Sequence, residues 1–155
     1  MAAPADVRRA TDADVDAFTA HRLAIFRETQ GLADDAAATL AAATRAAFAA
    51  LLASGSTSLW LAWRDGAAVG SVALHVFARF PSPTNPCASE GYVSHVWVAA
   101  TCRRQGVGTA LLRALLADAD ARGLRRIRLH ATADGRGLYE TLGFRLRSND
   151  MERLL

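Results

Sequence analysis

Apolar residues in the first third of the chain recur at helical spacing. One run, Val15–Gln30, follows residues that favour a helix start and predicts a first helix. A second, alanine-rich run, Asp34–Ala53, predicts a second helix, whose buried face would consist of Leu40, Ala47, Phe48, Leu51 and Leu52. Because residues 6–10 predict a short strand, the chain is expected to begin with one strand and two helices.

The rest of the chain alternates between strand-like and helix-like patterns. Two strand-like runs flank Asp65 and Gly66, a pair that strongly favours a hairpin turn, and three prolines mark residues 80–89 as a loop. Further strands are predicted over residues 90–98, 125–131, 144–147 and 150–154, and further helices over 108–122 and 134–142. This order predicts a mixed α/β sheet flanked by helices.

Length and composition fit one globular domain over residues 1–155. Hydrophobic residues make up 52% of the chain and charged residues 21%, which is a folded and not a disordered composition. No apolar run approaches the roughly 18 residues of a membrane span, so we expect no membrane partner and a cytoplasmic protein. Two cysteines and four histidines show neither a disulfide framework nor short metal-ligand spacing, so no metal is expected.

Arginine supplies all the basic charge of the chain. Every one of the 18 basic residues is arginine, the net charge is +3, and acidic residues are scattered among the arginines. A balance of this kind gives no basic stretch for nucleic acid, so no nucleic-acid partner is expected. Frequent alanine, arginine and glycine without lysine is typical of GC-rich coding, and we expect a bacterial source.

A glycine loop between a predicted strand and a predicted helix is the strongest chemical signal. The loop comes directly after Cys102 and consists of Arg103, Arg104, Gln105, Gly106, Val107 and Gly108. Free N–H groups at a helix start favour an anion, although such a sequence also forms ordinary tight turns. A nucleoside-triphosphate loop requires a lysine that the chain lacks, and Leu111 stands where a dinucleotide fingerprint requires its third glycine.

The loop resembles the [Q/R]-x-x-G-x-[G/A] signature of the GCN5-related N-acetyltransferases. A strand ending in Val96-Trp97-Val98 precedes it, and "LYETLGF" over residues 138–144 is similar to a later segment of that family. With "LHATADGRG" before that segment and "SNDMERL" after it, the chain looks like a small-molecule-type bacterial subgroup. The resemblance implies a mostly antiparallel sheet of about six to seven strands, whose two central strands splay apart.

The resemblance also implies acetyl-coenzyme A as co-substrate. Cofactor contacts are then expected from the main chain of the strand and from the loop, with Thr132 standing where the family often has an asparagine. The full set is Val96, Trp97, Val98, Arg103, Arg104, Gln105, Gly106, Val107, Gly108, Thr109 and Thr132. Glu28, near the end of the first helix, is the candidate for binding the acceptor amine.

Acetyl transfer to an amine needs an acid and a route for a proton. Tyr139 matches the family's general acid, which protonates a thiolate whose pKa is about 8.5 when free. The family's usual base positions fall on Tyr92, Ser94 and Ile127, none of which is an obvious base. His130, His95 and Glu90 are the alternatives on the same strands, with His130 the catalytic candidate, and a chain of water molecules is a fourth route.

The function implied is N-acetylation of a primary amine on a small molecule. A non-catalytic acyl-coenzyme A binding module of the same fold is one alternative, motivated by the missing base, and acetylation of a protein or peptide N-terminus is another. The acceptor itself is not readable, since its pocket would be built by the first two helices and residues 80–89. Many members of the family dimerise, so the resemblance also allows a homodimer.

Overall fold

A five-stranded sheet in the order β1-β2-β3-β4-β5 forms the centre of the protein. The computed structural model describes residues 3–147 and 150–155. The strands are β1 (Asp6–Arg9), β2 (Thr57–Arg64), β3 (Ala67–Ala78), β4 (Ser89–Val98) and β5 (Ile127–Leu129). Neighbours are antiparallel from β1 to β4, whereas β5 is parallel to β4. The mixed, mostly antiparallel fold is therefore confirmed.

Within the described residues, four α-helices flank the sheet and match the predicted order. They are α1 (Val15–Gln30), α2 (Asp34–Ala53), α3 (Val107–Ala121) and α4 (Arg136–Thr141). α1 ends at Gly31, whose φ of 62° lies in the left-handed region that glycine tolerates best. The β2–β3 hairpin turns at Asp65 and Gly66, with φ values of 50° and 77°. Two successive positive φ angles are those of a type I′ turn, as the sequence pair predicts.

The sheet has an apolar core on each face. Alternation along β3 sends Val72 and Leu74 to the side of α3 and Ala73 to the side of α1 and α2. On the α3 side these residues meet the fully buried leucines of that helix, Leu111, Leu112 and Leu115. Each such leucine contributes about 1.5–3 kcal/mol by leaving water, so α3 is fixed firmly beneath the strand that precedes it.

The predicted buried face of α2 is partly wrong. Phe48 is buried as expected, but the other buried residues are Ala37 and Ala41, while Leu51 stays 43% exposed. The contact face is rotated by about one residue from the predicted one. Ala47 and Leu51 instead border an open cavity between the helix and the sheet.

α2 also has the length and composition of a membrane-spanning helix, which the sequence analysis did not anticipate. The mean hydropathy of its most apolar window is 1.6. In the structure the helix packs on α1 and, through Phe48, on β2. Only 11% of that window is buried, and its length and composition alone do not assign the helix to a membrane.

The predicted final strand pair is wrong, and so is the count of six to seven strands. Residues 144–147 and 150–154, which are all described, contain no strand. A strand needs a neighbour to satisfy its backbone, and β5, which would be that neighbour, is only three residues long. Phe144 instead packs at the end of α4, with its ring centroid 6.0 Å from that of Tyr139.

A buried carboxylate joins β1 to α1. Asp14 is 4% exposed and accepts two N–H bonds from Arg8, at 2.7 and 2.9 Å, and one from the backbone of Thr11 at 2.8 Å. The hydrogen bonds from Arg8 are the main cause that lowers the pKa of Asp14 in the folded protein. The resulting stability is present above the unfolded pKa and is lost as the pH falls through the folded one.

Replacing Asp14 with Asn should therefore destabilise the protein and flatten its acid sensitivity. We expect a loss of about 1.5–3 kcal/mol at pH 7, because Arg8 loses a charged hydrogen-bond acceptor, and a smaller fall in stability on acidification below pH ~4 than in the wild type. Urea unfolding at several pH values measures both. Asp16→Asn, which removes an exposed ion pair with Arg45, is the control and should change little. Equal effects of the two substitutions would contradict this role of Asp14.

Candidate functional site

A gap opens between β4 and β5. The two strands pair only at three positions, Gly91 with Ile127, Tyr92 with Arg128 and Val93 with Leu129. Among the described residues, no strand pairs with residues 94–98 on the β5 side, which leaves about 17 Å of extended backbone with free polar groups. This is the splay that the resemblance implied, and a chain of amide groups is the kind of ligand that such an edge can pair with.

A β-bulge at Ser94 marks the point where the strands part. Ala73 of β3 pairs with His95 and Leu74 pairs with Val93, so Ser94 is an extra residue in β4. A bulge bends its strand and increases the local twist, which directs the rest of β4 away from β5. Because of this extra residue, His95 lies on the same face of the sheet as Tyr92, whereas strict alternation would place the two on opposite faces.

The glycine loop presents a row of free backbone donors at one end of the gap. Within the described chain, the N–H groups of residues 104–109 have no hydrogen-bond partner, and the first bond of α3 runs from Ala110 to Gly106. Arg104 and Gly106 have positive φ angles of 60° and 81°, which turn the loop sharply into the helix. Free N–H groups at a helix start attract anions, so the loop fits the pyrophosphate of coenzyme A.

The two glycines of the loop serve different purposes. Gly106 has open space around it and is needed for its left-handed φ. Gly108 is needed for close packing, since a Cβ there would lie 3.1 Å from Leu138 of α4. This contact places α4 against the start of α3, and Tyr139 is the next residue of α4.

Side chains of the loop are used largely to brace it. Arg103 donates to the carbonyl of Val98 at 2.9 Å and to Glu28 at 2.5 Å, and Trp97 donates to the other oxygen of Glu28 at 3.2 Å. Gln105 donates to the carbonyl of Thr101 at 2.9 Å. The charge of Glu28 is thus already paired, and its predicted contact with an acceptor amine stays a prediction.

Tyr139 has the properties of a proton donor. Its side chain is 8% exposed, and its hydroxyl makes no hydrogen bond to the described part of the chain. Burial raises the pKa of Tyr139, so the hydroxyl keeps its proton at neutral pH. Gly135 makes room for the ring, because a Cβ there would lie 2.9 Å from it, while Thr132 accepts the Gly135 N–H at 3.3 Å.

The base candidates on β4 and β5 lie in three different environments. His130 is exposed, with Nδ1 hydrogen-bonded to the hydroxyl of Tyr92 and Nε2 3.7 Å from the carboxylate of Asp150. His95 is 2% exposed, and burial is the main cause that holds its pKa well below the usual value. Its Nε2 lies 2.7 Å from the hydroxyl of Ser71.

Glu90 is the centre of an ion cluster. It is fully buried, and its carboxylate lies 2.9 Å from Arg79, 2.6 Å from Arg128 and 3.8 Å from Arg126. The Arg128 contact is a close ion pair without the alignment of a good hydrogen bond. Three guanidinium groups thus surround this one carboxylate and engage it in ion pairs.

His75 of β3 is a functional candidate that the sequence analysis missed. Its Nδ1 lies 2.9 Å from the hydroxyl of Thr57, and its Nε2 lies 2.6 Å from the hydroxyl of Ser94. Burial, and then the charge of Arg22, lowers the pKa of His75, so the imidazole is neutral at pH 7. The family position at Ser94 was the available signal, but only the strand register reveals which histidine stands behind it.

A cavity of about 500 Å³ reaches Ser94 from the side of α1 and α2. Aromatic and aliphatic side chains form most of its wall, together with Arg22, Thr57 and His75. Its lining consists of Phe18, Arg22, Phe26, Ala43, Thr44, Ala47, Phe48, Leu51, Leu52, Thr57, Leu59, Ala73, His75 and Ser94. A second cavity, of about 880 Å³, is bordered by β5, α4, residues 142–147 and Asp150 and contains Tyr139 and His130 in its wall.

A splayed strand pair with an anion-binding loop at its end is the architecture of acyltransferases that use coenzyme A. The chain belongs to the acetyltransferase (GNAT) family, whose model matches residues 22–144. Members of that family are acetyl-coenzyme A dependent acetyltransferases. No curated protein matches the chain.

Solved structures agree with the family over nearly the whole chain. A GCN5-related N-acetyltransferase from Ralstonia eutropha JMP134 is 28% identical, with a TM-score of 0.84 over 97% of this chain and 98% of that one. A predicted acetyltransferase from Clostridium acetobutylicum, solved with acetyl-coenzyme A, is 22% identical with a TM-score of 0.82, over 97% and 96%. An aminoglycoside acetyltransferase from an uncultured soil metagenomic sample is 26% identical with a TM-score of 0.74, over 99% of each chain.

Strain at Gly106 should weaken the binding of coenzyme A. Gly106→Ala places a Cβ on a residue with φ of 81°, which costs about 1–2 kcal/mol and favours a different loop shape. We expect about tenfold weaker coenzyme A binding by calorimetry. Gly31→Ala is a matched control, because Gly31 also has a positive φ and open surroundings but ends α1. It should lower stability and leave the affinity unchanged; equal affinities in both variants would contradict the role of the loop.

Proposed function

We propose that the protein transfers the acetyl group of acetyl-coenzyme A to a primary amine of a small molecule. The observation that carries the proposal is the unpaired edge of β4. It begins at the free N–H groups of the glycine loop and ends at Ser94, where the cavity on the α1 and α2 side opens. A ligand held along this edge would have its anionic end at the free N–H groups of the loop and its reactive end at Ser94, beside the cavity.

The loop and the strand would hold the co-substrate. The N–H groups of residues 104–109 fit the pyrophosphate, and the main chain of Val96, Trp97 and Val98 fits the amide groups of the pantetheine arm. Arg104 is exposed and is available to add positive charge outside the loop. Thr132 keeps a hydroxyl proton free to donate, because its oxygen serves only as an acceptor toward Gly135.

Tyr139 is the proposed acid. When bound, acetyl-coenzyme A supplies an activated acyl group as a thioester. The amine nitrogen forms the new bond to the acyl carbon, the carbon–sulfur bond breaks, and the sulfur leaves as a thiolate that must be stabilised. Tyr139 is buried, protonated and without a competing partner among the described residues, so its hydroxyl is free to give that proton.

His75, acting through Ser94, is the proposed acceptor of the amine proton. A neutral imidazole can take a proton, and the hydroxyl of Ser94 joins it to the edge of the cavity. Thr57 orients the ring from the other side. His130, the residue after β5, remains the alternative, although it does not line this cavity.

Removing the Tyr139 hydroxyl should slow turnover without weakening binding. We expect Tyr139→Phe to lower kcat about 100-fold, as the loss of a general acid does, with an unchanged Kd for coenzyme A. A thiol-release assay and calorimetry measure the two quantities. Tyr92→Phe makes the same chemical change at the only other tyrosine and should leave kcat nearly unchanged. A normal kcat in Tyr139→Phe would remove it from the mechanism.

The pH profile should identify the proton acceptor. His75 acts only when neutral, and its lowered pKa means that kcat/KM is high above that pKa and falls as the pH drops through it. The acid limb of the wild type should therefore lie below pH ~6.5, the ordinary value for histidine. His75→Gln should abolish this limb and lower kcat, and Ser94→Ala should do the same. If His130→Gln removes the limb instead, the base is His130.

A further inference from the structure

Arg22 places an unpaired positive charge in the wall of the cavity that reaches Ser94. Its guanidinium lies 4.6 Å from the centre of the Phe26 ring and is about half buried, and burial lowers its pKa. Among the residues that the structure describes, no carboxylate lies within ion-pair distance of it. By contrast, Arg8, Arg103 and Arg122 each have an acidic partner.

No other group in the cavity balances that charge. The lining contains neither aspartate nor glutamate, and its only other ionisable side chain, His75, is neutral at pH 7. Holding a partly buried guanidinium without a partner costs free energy, which an incoming anion would recover. A carboxylate suits it well, because two guanidinium N–H groups can bind both carboxylate oxygens.

The remainder of the wall is apolar. Phe18 and Phe48 lie over the sheet against Leu59 of β2, and Phe26 and Leu51 extend the wall toward solvent. A volume of about 500 Å³ is within the usual range for small-molecule sites. The cavity thus combines an apolar body, one positive charge and, at Ser94, one polar exit toward the gap between β4 and β5.

We infer that the acceptor is an amine that also carries a carboxylate and an apolar group, the chemistry of an amino acid with an apolar side chain. Arg22 binds the carboxylate, the apolar walls bind the side chain, and the amine lies at Ser94. This inference rests on the proposed function, since it takes the cavity as the acceptor site. It disfavours a polycation such as an aminoglycoside, which would meet a positive charge and no acid in this cavity.

The step conserves the carboxylate and the charge on Arg22. The ammonium gives one proton through Ser94 to His75, and the neutral amine nitrogen then bonds to the acetyl carbon as the carbon–sulfur bond breaks. The thiolate takes a proton from Tyr139, the new amide nitrogen returns its surplus proton to Tyr139, and His75 releases its proton to solvent. The products are an N-acetyl amino acid and coenzyme A. The ion pair with Arg22 persists throughout, so Arg22 contributes to binding and not to the chemical step, and its loss should appear in KM.

Three amines that differ only at the carboxylate test the inference: phenylalanine, phenylalaninamide and phenethylamine. With the wild type, we expect phenylalanine to have the lowest KM in a thiol-release assay. Arg22→Gln should raise the KM for phenylalanine about 10- to 100-fold with little change in kcat, and should leave the two amines without a carboxylate unaffected. Arg22→Met, which keeps the apolar stem, should behave alike.

Arg27→Gln is the matched control. Arg27 lies on the same helix but outside the cavity, 3.6 Å from Asp34, so its loss should not change the KM for any of the three amines. If phenethylamine is as good a substrate as phenylalanine, or if Arg22→Gln affects all three amines equally, the inference is wrong. Turnover of an aminoglycoside in preference to phenylalanine would also overturn it.

Calorimetry separates this inference from the proposed function. Phenylalanine and phenethylamine are titrated into protein saturated with coenzyme A. Binding of phenylalanine that is lost in Arg22→Gln, without turnover, supports the cavity assignment and contradicts catalysis. Turnover of amines without any dependence on the carboxylate supports catalysis and contradicts the assignment. If phenylalanine neither binds nor is turned over, and no other amine is turned over, both the cavity assignment and the proposed function are contradicted.

Discussion

The separation of β4 from β5 is the constraint on which the rest of the site depends. A parallel strand pair normally continues until one strand ends, and it satisfies every backbone group on the way. Here the pairing covers only the three residues of β5 and ends just before Ser94, the extra residue of β4, which leaves a row of polar groups in need of a partner. The sheet is stable without them because α3 and the β2–β3 hairpin hold β4 from its other sides.

The same bulge arranges the chemistry around the vertex of the gap. Ser94 is outside the ladder, so its hydroxyl is free to meet His75 from the neighbouring strand. His95, one residue later, is directed into the interior, where it packs edge-on against Phe18 with 5.0 Å between ring centroids. His95 is therefore packed in the interior, whereas His75, on the adjacent strand β3, faces the cavity.

Local patterns were enough to predict most of the elements. The helical repeats, the Asp65-Gly66 turn and the glycine loop depend on residues close in sequence, and all of them are present in the structure. The prediction of a final strand pair failed because a strand needs a partner strand, and β5, with three residues, is too short to pair with a long one. The contact face of α2 failed for a similar reason, since the position of an open cavity is decided by tertiary packing.

The site was predictable only in the part that lies within one continuous segment. The family resemblance pointed to Gly106, Gly108 and Tyr139, and in the structure Leu138, the residue before Tyr139, packs against Gly108. The link between Thr57, His75 and Ser94 joins three strands and depends on register, which a period of two cannot fix across a bulge. The sequence likewise could not show that Arg22 has no acidic partner among the described residues, because this depends on where the fold places every acidic side chain.

The choice of arginine at the cavity has a consequence for the lifetime of the protein. A lysine in that place would itself be a primary amine beside the acyl donor, with a pKa that burial lowers toward reactivity. A guanidinium stays protonated and does not compete as a nucleophile. The chain contains no lysine at all, so none of its side chains offers an alkyl amine to the thioester. The protein is thereby spared self-acylation at its side-chain amines, a form of damage to which a thioester-binding protein is exposed at every encounter with its co-substrate.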